Sequence, residues 1–80
     1  MKLAAIKKLV ETYTLEELTK AEIAMENGEQ IDIEVEGDDE GEQFTHILGA
    51  IDILFRVKRE QKDPKIALRE FFDRVRNSIN

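Results

Sequence analysis

The one imidazole in the chain, His46, stands four residues after Glu42 and close behind Asp38 and Asp39. Side chains four apart on a helix share a face, so Glu42 and His46 can meet. A carboxylate beside an imidazole could move a proton, or could form a divalent-metal set with Asp38 and Asp39. No activated nucleophile accompanies the pair, and His46 flanks an apolar stripe. The first expectation is therefore a structural histidine, hydrogen-bonded at the edge of the core. The metal set Asp38, Asp39, Glu42 and His46 is the alternative, and no catalytic residue and no cofactor is expected.

A second acidic run, Asp32-Ile33-Glu34-Val35-Glu36-Gly37, places acids and a glycine as the start of an EF-hand loop would. Its twelfth position is Gln43 in place of the bidentate Glu, its eighth is Asp39, and the residues before it are extended where an entering helix is required. A specific calcium site is not expected there. Gly37 and Gly41 bracket acids, the wrong sign for a loop that cradles phosphate. No Walker or dinucleotide fingerprint is present.

The elements that must position these residues follow from periodicity and caps. Leu3, Ile6, Leu9, Val10 and Tyr13 recur at helical spacing, which predicts a helix over 3–12. Thr14-Leu15-Glu16-Glu17 matches a capping box, with Tyr13 and Leu18 placed as a hydrophobic staple. The helix it opens should stop at Gly28, a residue suited to the left-handed C-cap. Leu18, Ala21 and Met25 form its buried stripe and Ile23 falls on the other face.

Over 31–36 the period changes to two, with Ile31, Ile33 and Val35 alternating with acids, as in a half-buried extended segment. A lone strand leaves its backbone groups unpaired. The segment must therefore pair across a dimer axis or lie along the helices as an arm, with a slight preference for pairing.

Asp39 with Glu42 opens a third helix, from about Glu40 to Gln61. Phe44, Ile47, Leu48, Ile51, Leu54 and Phe55 form its main stripe, and Ala50, Ile53 and Val57 widen it. A helix this apolar needs cover on more than one side. Asp63-Pro64 opens a fourth helix with an N-cap acid and Pro at its first position. Leu68, Phe71, Phe72, Val75 and Ile79 make its seam.

An 80-residue chain is one domain with a marginal core, and small scaffolds usually need a disulfide, a metal or a partner. There is no cysteine and one histidine, which excludes a disulfide and a thiolate metal site. Self-association is the remaining route, with Ile53 and Val57 expected at the dimer interface. Lys7 and Lys8 break the N-terminal apolar run too early for a signal peptide, and no segment approaches the roughly 20 apolar residues of a membrane span. A cytoplasmic location is expected.

The net charge of −6 is unevenly spread. Residues 11–42 hold thirteen acids against Lys20, whereas residues 56–76 hold eight Lys and Arg against four acids. The two regions are expected to attract one another within the fold as solvated faces; the alternative is that one face recruits an oppositely charged partner. Nucleic-acid binding would have to use the basic C-terminal residues, and the sequence pI near 4.8 argues against it.

Ile6-Lys7-Lys8-Leu9-Val10-Glu11, Leu15-Glu16-Glu17-Leu18 and Glu34 to Glu42, followed by Thr45-His46-Ile47-Leu48, resemble a family of short bacterial proteins of unknown function. The resemblance spans nearly the whole chain and implies a complete small protein rather than a fragment of an enzyme. It carries no activity, cofactor or partner with it.

The expected architecture is all-α: four helices, the third central, with one extended segment over 31–36, forming a homodimer through helix 3. The expected function is a non-enzymatic interaction or regulatory adaptor module. Its recognition surfaces would be the acidic segment, with Asp38, Asp39 and Glu40, and a groove on helix 3.

Overall fold

Local chemistry sets most of the helix boundaries in the computed structural model, which describes residues 1–78. The helices are α1 (Leu3–Thr12), α2 (Leu15–Glu26), α3 (Glu40–Glu60) and α4 (Pro64–Ser78), and no strand occurs among the described residues. Ile79 lies outside them.

The Thr14 hydroxyl accepts the Glu17 amide at 3.1 Å while the Glu17 carboxylate accepts the Thr14 amide at 2.9 Å, so both halves of the capping box form. At the other end of α2, Gly28 takes φ +72°. Its amide donates to the Met25 carbonyl, and the Glu29 amide donates to that of Ala24, the paired bonds of a Schellman cap. The Asp39 carboxylate caps α3 by accepting the Glu42 amide at 2.7 Å, and Asp63 caps α4 through the Lys65 amide at 2.8 Å.

The turn from α3 to α4 puts Gln61 in the left-handed region (φ 54°), where the Lys62 amide closes on the Val57 carbonyl. Lys62 then bridges Glu60 at 3.0 Å and Glu70 at 2.6 Å, clipping α4 back onto the end of α3. Hydrogen bonds from Arg59 and Lys62 hold the Glu60 carboxyl down at about 2. A depressed carboxylate stabilises the fold above its unfolded range, so this contribution is lost only as pH falls toward that value.

α3 is the hub: α1, α2 and α4 all pack on it, α1 also meets α4, and α2 touches neither. Ile6 and Leu9 of α1, Leu18 and Ala21 of α2, Ile47, Ala50 and Ile53 of α3, and Ala67 and Leu68 of α4 form the buried core. Gly49 lies where α1 and α4 converge on α3. A Cβ there would stand 3.0 Å from the Ile6 Cδ1 and 3.2 Å from the Phe71 Cζ. A mid-helix glycine costs about 1 kcal/mol in propensity relative to Ala, and here it lets both neighbours approach the α3 backbone.

Residues 31–36 lie along the helices as an arm, the second of the two arrangements open to them. Ile31, Ile33 and Val35 are half-buried against the core, and the Glu34 amide donates to the Tyr13 hydroxyl at 3.0 Å. Ile53, expected at a dimer interface, is fully buried in the chain's own core, and Val57 is half-buried against it. Ile53 is thereby closed to a partner, whereas Val57, on the same inner face, keeps part of its surface exposed.

Because Gln61 occupies a position that suits glycine, Gln61→Gly should raise stability by up to about 1 kcal/mol. For a domain this small, that is a rise of several degrees in Tm, measurable by thermal circular dichroism.

Candidate functional site

The residues that looked most like a chemical site meet where the starts of α1 and α3 come together. His46 is completely buried, one turn and a half into α3. The Lys2 amide, at the N-cap of α1, donates to its Nε2 at 2.9 Å. Nε2 is thus an acceptor, which leaves the proton on Nδ1, and Nδ1–H donates to the Glu36 carbonyl at 2.7 Å. α1 has no side-chain N-cap of its own, so His46 satisfies from 44 residues away one of the donors a helix start leaves open.

The acids around it are also engaged. One Glu42 oxygen accepts the Asp38 amide at 3.0 Å, and the other lies 3.8 Å from the Met1 amino group. The reciprocal half of the α3 cap thus reaches one residue beyond Asp39, to Asp38. The Asp38 carboxylate pairs with Lys2 Nζ at 3.5 Å, and Lys8 pairs with Glu36 at 3.3 Å. Glu40 is exposed in the first turn of α3.

Asp38, Asp39, Glu42 and His46 are therefore neighbours along the chain that serve different structural bonds. Among the described residues, no group of three or more His, Cys, Asp or Glu is placed to hold a metal ion. Both imidazole nitrogens already have protein partners, so coordination would have to break one of these bonds. Gly37, the glycine of the EF-hand-like run, serves close packing: with φ +157°, a Cβ there would fall 2.9 Å from the Gln43 backbone nitrogen.

The electrostatics divide differently from the expected attraction of the acidic and basic regions. Glu36, at the end of the arm, pairs with Lys8 of α1, and Asp38, just beyond it, pairs with Lys2 at the α1 cap. The C-terminal cations that form ion pairs do so with acids of α3 and α4. Asp52 takes Arg56 and Arg74, each at 3.4 Å, Arg59 pairs with Glu60, and Arg76 lies 3.9 Å from Asp73. Sequence-distant acids were not needed because α3 and α4 carry their own counter-charges.

That leaves the acids from Glu11 through Glu34 without an ion-pair partner among the described residues. Three of them, Glu17, Glu29 and Asp32, border a groove of about 550 Å³ between α2 and the arm. Tyr13, Ala21, Ile23, Ala24, Ile31 and Ile33 line it, with Glu17, Glu29, Asp32 and Lys20 among its polar residues. Ile23 is 52% exposed there. On the same helix, partial burial and the neighbouring Glu26 push the Glu22 carboxyl up.

Sequence reasoning missed this groove because it depends on where the arm lies, and alternation over 31–36 does not say which helix the arm follows. The Tyr13 hydroxyl was a usable signal: a half-buried tyrosine needs a polar partner. Gly49 was another, since glycine inside an apolar helix marks a close approach.

Fold and site together define a small all-α domain with a buried histidine clamp and an acidic, apolar-floored groove. Over residues 1–80 the chain matches the family described as a family of unknown function (DUF6952), and it belongs to that family. No curated protein matches the chain, and no solved structure does. No helix of the described residues is long and apolar enough to cross a membrane.

His46→Phe keeps the buried volume but strands the Lys2 N–H and the Glu36 carbonyl. A loss of about 2–4 kcal/mol is expected from two stranded groups, read from urea unfolding. Glu22→Gln should stabilise the protein at neutral pH. A carboxyl raised in the folded state favours folding most below its unfolded range and loses that contribution as pH rises through its folded value. The advantage of the variant should therefore shrink as pH falls to about 4, which a Tm series against pH would show.

Proposed function

We propose that the chain is a non-enzymatic protein-interaction module, acting as a homodimer, in which each copy receives a basic, amphipathic segment of a partner protein on its α2–arm groove. The observation that carries this reading is the combination of uncompensated acids with exposed Ile23 beside an apolar groove. Like charges crowded on one face with no internal counter-charge weaken the isolated fold, and a cationic partner relieves them. Apolar anchors supply most of the affinity at such surfaces, and charge complementarity supplies on-rate and specificity.

The acidic segment expected from the sequence is retained in a shifted form. Asp38 and Asp39 are used within the fold, as ion-pair partner and helix cap, while Glu17, Glu29 and Asp32 remain available around the groove.

The test is affinity capture from native lysate with wild-type protein and with Ile23→Glu, each at low and high salt, followed by identification of the bound chain. A stoichiometric partner with a basic segment, released by salt and absent from the variant, is the expected result. Capture equally strong with Ile23→Glu, or no stoichiometric partner at low salt, would contradict the reading.

A further inference from the structure

The outer face of α3 carries a second apolar pattern, of which only Ile51 also packs against the core. Phe44, Leu48, Ile51 and Phe55 are spaced by four, three and four, the alternation of a heptad seam. Helical geometry places them on the side opposite His46, Ala50, Ile53 and Val57, which face the chain's own core. Leu48 is 41% exposed and Phe55 50%, whereas Phe44 and Ile51 are half-buried.

The shape of the molecule explains why the seam stays open. Its extents are 32 × 29 × 17 Å, and the short one holds two helix layers at the usual spacing of about 8–10 Å, not three. Four of its buried apolar residues (Ala5, Ala21, Ala50 and Ala67) are alanines, so the core of one copy is slight. Small domains without disulfides commonly complete such a core with another subunit.

Charge along α3 selects the occupant and its direction. The helix begins with Glu40 and Glu42, behind Asp38 and Asp39, and its last turn carries Lys58 and Arg59 before the final Glu60, which pairs with Arg59. Two copies side by side and parallel would set acids against acids and align their helix dipoles. Antiparallel copies set each acidic start against a basic end, with opposed dipoles.

The seam is also self-complementary when reversed. About a two-fold axis between Leu48 and Ile51, Phe44 lies level with Phe55 of the other copy, Leu48 with Ile51, and Glu40 with Arg59. An isologous interface demands this symmetry. The acid that borders the middle of the seam, Asp52, is already neutralised by Arg56 and Arg74. The Arg59 guanidinium lies 5.4 Å from the Phe55 ring centroid, which keeps a cation at the rim.

We propose that a second copy of this chain docks antiparallel on the Phe44–Leu48–Ile51–Phe55 face of α3. The inference rests on the homodimeric part of the reading above and is independent of the acidic groove.

Sedimentation velocity over a concentration series, with the wild type, Leu48→Lys and Phe55→Ala, tests the face. A wild-type dimer is expected. Leu48→Lys should be a folded monomer, and Phe55→Ala should dimerise at least about tenfold more weakly. Should Leu48→Lys lose helicity, Phe55→Ala alone decides.

The absence of native cysteine allows direction to be read from single Cys variants under oxidation. In the antiparallel register, a Leu48→Cys residue and its mate are offset by about 4.5 Å along the axis and should form a disulfide dimer. Phe44→Cys is offset from its mate by about 16 Å, and should cross-link only when mixed with Phe55→Cys.

A wild type that stays monomeric up to about 100 μM, where even a weak specific dimer assembles, would overturn both this inference and the homodimer. A dimer indifferent to Leu48→Lys and Phe55→Ala would overturn the α3 face and leave the homodimer standing. Self-linking of Phe44→Cys would overturn the antiparallel register. None of these variants alters the groove, so capture by the Ile23 surface is scored separately.

Discussion

A single buried side chain joins three parts of the chain that are far apart in sequence. His46 accepts the amide of Lys2, the N-cap of α1, on one nitrogen and donates from the other to the carbonyl of Glu36 in the arm. Its ring therefore fixes where α1 begins, how the arm leaves the acidic loop, and how both meet α3. Hydrogen bonds made away from water are costly to leave half-formed, so all three elements are held to one arrangement. The ion pairs Lys2–Asp38 and Lys8–Glu36 surround this junction, but they are exposed and add little by themselves. With α1 and the arm fixed, the α2–arm groove acquires its second wall.

α3 serves two environments from one cylinder. Its inner face, with Ile47, Ala50 and Ile53, is the floor of the core. Its flank carries Gly49, which brings α1 and α4 close. The outer face keeps Leu48 and Phe55 in solvent. In a molecule two helix layers thick, a helix that is apolar nearly all round cannot be covered completely by its own chain. The same shortage of material limits the core and leaves the acids of α2 without internal counter-charges. The proposed self-association and partner binding both follow from small size.

Local chemistry was legible in the residues. The Thr14–Glu17 capping box, Gly28, the Asp39 cap and Asp63-Pro64 each specify a boundary within a few residues, and the four helices begin and end close to where those signals stand. Relations across the chain were less legible. Composition showed an acidic and a basic region but not that Asp52 would gather Arg56 and Arg74 while the arm pairs with α1. Periodicity showed that α3 is apolar over a wide arc. Which part of that arc faces inward depends on how three helices share it, and this is why Ile53 belongs to the core. For His46, proximity to Asp38, Asp39 and Glu42 along the chain suggested a ligand set, whereas its actual partners are backbone groups that carry no side-chain signature.

The central claim is that His46 is a neutral, doubly bonded clamp, and with one histidine in the chain it can be examined without assignment ambiguity. Long-range ¹⁵N–¹H correlation of the imidazole at neutral pH reports directly which nitrogen carries the proton. The structure requires a single tautomer, protonated at Nδ1, with Nε2 showing the shift of a hydrogen-bonded acceptor. A ring protonated at Nε2, or one averaging between tautomers as a solvent-exposed histidine does, would contradict the clamp and with it the placement of α1 and the arm.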